Sequence, residues 1–241
     1  NRAFWHAGTS GGKVINPIDE DGEKIGEDVV DMATWAKDVW IQPTLFGKMK
    51  AAGISYGIYS PFENIVPLTS LIHGEFERTH LFDTFFLHLD LHQLPQYVFL
   101  EPQFLFDNND QHPYSLTHPE RGTVMLGEEL ILKVYDAIKK SDHYRDRTLF
   151  IITHDEHGGC YDHEPPPSAI PPVPGMSGQF GFPFNRLGLR VPMVMVSSYI
   201  QPNTIINDLH DHTSFIKTAC DKWNLQSLTD RDRNAASFVT P

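Results

Sequence analysis

The sequence predicts an α/β fold, a mostly parallel sheet covered by helices on both faces. Three observations carry this expectation. Short continuous apolar runs rich in β-branched and aromatic residues recur along the chain, amphipathic stretches with helical spacing separate them, and no internal repeat or low-complexity tract interrupts the alternation. With 241 residues, 40% of them hydrophobic and 21% charged, the chain can bury one core, so a single domain over 1–241 is expected.

The elements follow in order. Residues 44–52 (TLFGKMKAA) have helical spacing and stop at Gly53, after which 54–60 (ISYGIYS) read as a strand. Residues 94–101 (LPQYVFLE) give a second strand. Residues 125–140 form an amphipathic helix with Leu126, Leu130, Val134, Ala137 and Ile138 along one side. Residues 148–153 (TLFIIT) and 191–197 (VPMVMVS) are continuous apolar strands of the kind buried on both faces. Residues 213–223 are a helix preceded by a cap-like segment. Long loops are expected at 11–31, 102–123 and 157–190. Ligands of parallel α/β sheets sit beyond the carboxyl ends of strands, so the loops leaving 94–101 and 148–153 come first in the search for chemistry.

Composition narrows the function. Nineteen Lys and Arg against 31 Asp and Glu leave a formal charge of −12, which disfavours nonspecific binding to nucleic acid or anionic membranes. A phosphate-handling site would therefore need local cations or a metal. No apolar run is long enough to span a bilayer, and no basic and apolar leader opens the chain. Cys160 and Cys220 are too few for a disulfide scaffold, and their spacing matches no zinc or redox motif.

The densest cluster of ionisable groups is 153–167, THDEHGGCYDHEPPP, directly after an expected strand. Asp155 and Glu156 can both reach one divalent cation if the backbone turns sharply, and Gly158-Gly159 supplies that freedom. The bland alternative is a solvated acidic turn. His157 follows the carboxylates and would face a phosphate or orient a ligand. His112 and His118 each precede a proline in the 102–123 loop, where an imidazole suits general acid work. Arg190 would counter a phosphate charge or pair with an acid. Trp5, Phe180, Phe182 and Phe184 would line a pocket or simply pack, and EPPPSAIPPVPG reads as a rigid loop.

Several of these stretches, in chain order, resemble one family. Asn1-Arg2 with Gly8-Thr9-Ser10-Gly11-Gly12 resembles a PNR segment and nucleophile turn; AAGISYGIY resembles an AGISW segment; FLEPQFLFDNNDQHP resembles an IEPR and NDxHP stretch. TxDEHGGxYDHxPPP, RLGLRVPMVMVSSYI and HDHTSFIKT complete the set, which runs from Asn1 to about Leu225. The chain is thereby similar to the phosphoesterases that include bacterial phospholipases C, plant nonspecific phospholipases C and secreted acid phosphatases of the alkaline phosphatase superfamily.

The resemblance implies a three-layer sandwich of alkaline phosphatase type. It implies a Thr or Ser nucleophile that forms a phosphoenzyme, with Thr9 first and Ser10 the alternative one residue away. A glycine-flanked turn between a strand and a helix would present that hydroxyl to phosphate; the alternative for either hydroxyl is a helix cap. One divalent cation would sit on Asp155 and Glu156, together with a Glu-Asn pair of an ENRSFD-like motif that this chain does not contain, so the chain is expected to begin after the first strand of the sheet. His112 would protonate the leaving oxygen, with His118 as its rival; His157, His118 and Arg190 would contact substrate, and His163 and His212 would support them. The expected substrate is a phospholipid or another phosphate ester, with transient membrane-surface contact and no protein partner. Phosphodiester cleavage of phospholipase C type is the expected reaction, with phosphomonoester cleavage of acid phosphatase type and phosphate-ligand binding without turnover as the alternatives, and the family is often exported.

Overall fold

Period-two alternation along residues 56–60 places the centre of the molecule, because this strand sends fully buried side chains to two separate cores. The computed structural model describes residues 1–14, 43–61, 66–104, 108–113 and 123–239. Its elements are α1 (Arg2–Ala7), α2 (Leu45–Ala51), β1 (Tyr56–Ser60), α3 (Leu68–His73), β2 (Thr79–Leu81), α4 (Phe82–Asp90), β3 (Tyr97–Leu100), α5 (Thr123–Lys140), β4 (Phe150–Thr153), β5 (Met193–Val196), α6 (Thr213–Trp223) and α7 (Asp230–Asn234). Strand order is β2-β1-β3, and both neighbours run parallel to β1, with Ile58 opposite Thr79 and Tyr56 opposite Tyr97.

Tyr56 and Ile58 point into a core shared with Trp5, Phe46, Tyr97 and Phe215, so α1, α2 and α6 cover that face. Tyr59 points the other way, against Phe85, Leu89 and Val134 of α4 and α5. Burying each of these large side chains contributes roughly 1.5–3 kcal/mol, which explains why the apolar stripe of α5 (Leu130, Val134, Ala137, Ile138) is held against the sheet. Helix α1 closes at Gly8 in the left-handed conformation, and its Trp5 stacks on Phe215 of α6 with ring centroids 4.6 Å apart. Trp5 and Phe184 are buried and serve packing; Phe180 is exposed.

One expectation is corrected. The strands at 150–153 and 193–196 do not extend the parallel sheet among the described residues; they pair antiparallel with each other, Ile151 opposite Met195. Phe150 joins one core and Ile151 the other, so β4 is covered on both faces, whereas β5 packs Met193 into the first core and leaves Val194 exposed. Among the described residues no helix is long and apolar enough to cross a membrane.

Candidate active site

The carboxyl ends of β3 and β4 are joined by one side chain. Glu101, directly after β3, is fully buried, and a buried carboxylate persists only when it is paired and hydrogen-bonded. It accepts from the backbone N–H groups of Leu68 and Thr69 at 2.7 and 2.9 Å, at the positive end of α3. Arg2 completes the set, with one guanidinium nitrogen 3.1 Å from Glu101 and the other 3.6 Å from Asp155, in the turn after β4. The first turn of α1 thus ties the two strand ends together.

Glu156 gathers the imidazoles. Its Oε1 lies 3.6 Å from Nε2 of His112 and its Oε2 lies 3.2 Å from Nδ1 of His157. Oε2 also accepts the Gly158 N–H at 2.9 Å, a turn that uses the positive φ of Gly158. His212, at the start of α6, meets the Asp155 carbonyl through Nε2 at 3.0 Å; burial pushes its imidazole towards the neutral form, and the bond to this carbonyl opposes that shift. Arg190 forms a two-pronged pair with Asp162, Nε to Oδ2 at 2.9 Å and a terminal nitrogen to Oδ1 at 2.7 Å, so its fork is occupied bracing the 157–190 segment. His163 is an exposed neighbour of that pair. His118 lies outside the described residues, as does most of the 11–31 loop.

The hydroxyl turn lies elsewhere than expected locally. Gly8 to Gly12 follow the end of a helix, α1, and not a strand that feeds a helix N-terminus. Thr9 is 2% exposed, and its Oγ1 accepts the Gly11 N–H at 3.1 Å; Ser10 Oγ donates to the Lys13 carbonyl at 2.5 Å. Among the described residues no hydrogen bond or ion pair joins either hydroxyl to Asp155, Glu156 or His112. The turn is seated against α7: a Cβ on Gly8, where φ is +69°, would lie 2.8 Å from Thr229 Oγ1, the cap of α7. Gly8→Ala should therefore cost at least about 1–2 kcal/mol in backbone strain, before any loss of the Thr229 cap, read as a lowered urea midpoint.

Close to Arg2 lies a cluster of buried polar side chains. His6 Nε2 pairs with Tyr97 OH at 2.7 Å, and the His6 and His73 rings meet edge to face at 5.1 Å. His6 Nδ1, both nitrogens of His73 and the hydroxyls of Ser60, Thr69 and Ser70 are buried without a hydrogen-bond partner. Burial pushes His6 well down and His73 down to about 3, so both are neutral at physiological pH. On the other face, a cavity of about 210 Å³ between Pro61, Phe82, Phe86, Pro102, Leu130 and Lys133 is smaller than an ordinary ligand pocket.

The fit to a cation is partial. Asp155 and Glu156 are hard oxygen donors of the right chemistry, yet among the described residues no three His, Cys, Asp or Glu converge as a metal-holding group. Asp155 is drawn to Arg2 and Glu156 to two imidazoles and an N–H. Sequence reasoning reached His112, Asp155, Glu156 and His157, which the fold brings together. It missed Glu101 as the anchor of the site; a carboxylate closing an apolar strand was the available signal.

A model of the phosphoesterase family matches residues 1–226. Non-specific phospholipase C3 of Arabidopsis thaliana is 30% identical over 259 aligned residues, covering 99% of this chain and 45% of its own length. Non-specific phospholipase C1 of the same plant is 34% identical over 220 residues, 82% of this chain and 39% of that protein. Phospholipase C B of Mycobacterium tuberculosis is 26% identical over 242 residues, 90% and 44% respectively. The chain spans less than half the length of these relatives.

Proposed function

The chain belongs to the phosphoesterase family, and from that membership we propose that it takes part in hydrolysing phosphate esters, with phospholipase C-type phosphodiester cleavage as the leading activity. The observation that carries this reading is the meeting of His112 with Asp155-Glu156 from separate loops at the carboxyl ends of strands. The similarity to plant and mycobacterial phospholipases C supports the diester over the monoester. The family's alkaline phosphatase-type three-layer sandwich agrees with helices on both faces of the β1-centred sheet.

In the proposed double displacement, the Thr9 hydroxyl loses its proton to solvent and attacks phosphorus while the bond to the leaving oxygen breaks. The Gly11 N–H that points at Oγ1 stabilises the developing negative charge there. A protonated His112 hands its proton to the leaving oxygen and then, as a base, takes one from the water that attacks phosphorus; as the bond from phosphorus to Oγ1 breaks, the Thr9 oxygen takes back a proton from solvent and the phosphomonoester is released. Glu156 holds His112 and His157 towards the phosphoryl group. A divalent cation on Asp155 and Glu156, with ligands beyond the described residues, would supply positive charge to the phosphoryl oxygens.

A second reading, phosphate binding without turnover, draws support from the incomplete cation shell. The test is release of nitrophenol from nitrophenyl phosphorylcholine and from nitrophenyl phosphate, by the full protein with added divalent cations and with chelator. Faster diester turnover is expected; preference for the monoester would make the chain a phosphatase, and binding of both without product would establish the second reading.

A further inference from the structure

His112 is gripped from both sides. Its chain neighbour Gln111 has a positive φ of 61°, an uncommon state for a residue with a side chain. The Gln111 amide nitrogen donates to Glu128 Oε1 at 2.7 Å and approaches the Val124 carbonyl at 3.5 Å, both in the first turns of α5. Its amide oxygen pairs with His154 Nε2 at 3.0 Å, one residue before Asp155. The Gln111 stem fills the place of a side chain that α5 lacks: a Cβ on Gly127 would lie 2.2 Å from Gln111 Cγ and 3.0 Å from the Asn109 carbonyl oxygen. On the other side, a Cβ on Gly158 would lie 2.4 Å from Pro113 Cδ. The segment flanking His112 is thus seated on two glycines, one in a helix and one in the turn that carries Asp155 and Glu156.

A glycine inside a helix weakens it relative to alanine, so Gly127 needs a local reason. The seat for Gln111 is that reason. His112 extends from this seat to Glu156 at 3.6 Å, and its own N–H is 3.3 Å from Asp110 Oδ1.

We propose that Gln111, locked over Gly127 and bridged to Glu128 and His154, is a positioning residue that sets where His112 meets the Asp155-Glu156 turn. This rests on the reading that His112 serves phosphoester turnover. Displacement of a catalytic group by about an ångström can cost up to a hundredfold in rate, so the seat matters to turnover more than to folding.

The test is a set of double-mutant cycles on the full protein, with nitrophenyl phosphorylcholine and added divalent cations. Gln111→Ala should lower kcat about ten- to hundredfold with KM within about twofold, and should cause no further loss in a His112→Ala background. Gly127→Ala should lower kcat similarly, by pushing Gln111 off its seat. In the Gln111→Ala background the same change should cost less than about threefold in kcat, because the clash with the Gln111 side chain is gone and only the 3.0 Å approach to the Asn109 carbonyl remains. A Gln111→Ala loss that persists undiminished without His112, or a Gly127→Ala loss that adds to it, would overturn the inference while leaving His112 in place. A His112→Ala variant with intact kcat would remove the reading of His112 itself, and this inference with it.

Discussion

Thr9→Ala should reduce phosphodiester turnover at least about a thousandfold, while Ser10→Ala should reduce it less than about tenfold. The two hydroxyls are adjacent in sequence and differ in what the turn asks of them. Ser10 spends its proton on the Lys13 carbonyl, which holds the turn closed and leaves the oxygen poorly placed to lose that proton. Thr9 has the reverse arrangement: its oxygen receives the Gly11 N–H, which favours negative charge on Oγ1 and makes it the better nucleophile. Thr9→Ser keeps the hydroxyl and should retain turnover within about tenfold, which separates loss of the nucleophile from damage to a buried turn. Rapid-quench mass spectrometry of the peptide that contains both residues would locate the phosphoryl group. A phosphoryl group on residue 10, or full turnover in Thr9→Ala, would reverse the assignment.

The parts of the fold that follow from local periodicity were legible. Helix α6 runs over the residues that spacing predicts, and the α5 stripe packs as read at Leu130, Val134, Ala137 and Ile138, because one amphipathic face is enough to fix both; Leu126 does not join that core. The direction of β4 and β5 was not legible, since a continuous apolar run carries no mark of parallel or antiparallel pairing; β4 does reach both cores, and the exposed Val194 of β5 is as apolar as its partly buried neighbours. Helix α4 was available but passed over: Phe82, Phe85, Phe86 and Leu89 recur at helical spacing and all reach the second core. Helix α1 was hidden inside a stretch read as a motif.

At the site, loop residues with short-range signatures were found, and long-range pairing was not. Asp155, Glu156 and His157 sit in one turn, and His112 beside Gln111 and Pro113 in another, so their type and order suggested chemistry. Arg2 and Glu101 are 99 residues apart, and nothing in either neighbourhood says that one will neutralise the other. The same holds for His6 and His73, which look like ordinary helical residues until tertiary packing closes over both.

That buried pair carries the second large effect, an acid lability centred beneath the site. His6 faces His73 and Tyr97, both imidazoles feel the Arg2 charge, and burial is the main cause holding each below its ordinary value. A histidine whose folded pKa is depressed binds a proton more readily when unfolded. Its stabilising contribution is therefore fully present above about pH 6.5 and is lost progressively as pH falls towards about 3, the value for His73. With both imidazoles acting, stability should fall by roughly 2–3 kcal/mol per pH unit below pH 6. Urea unfolding from pH 8 to pH 4.5 would measure the slope, and His73→Leu should lower it by about 1.4 kcal/mol per pH unit, the share of one imidazole, while buried His212 adds its own share in both proteins. Because neither His73 nitrogen has a hydrogen-bond partner, the same variant should be no less stable than the parent at pH 8. A slope near zero in the parent, or one unchanged by His73→Leu, would end this account. Arg2 ties Glu101 to Asp155 and its charge is felt by both imidazoles, so a positive charge gained on either would repel it and loosen the brace between the two strand ends.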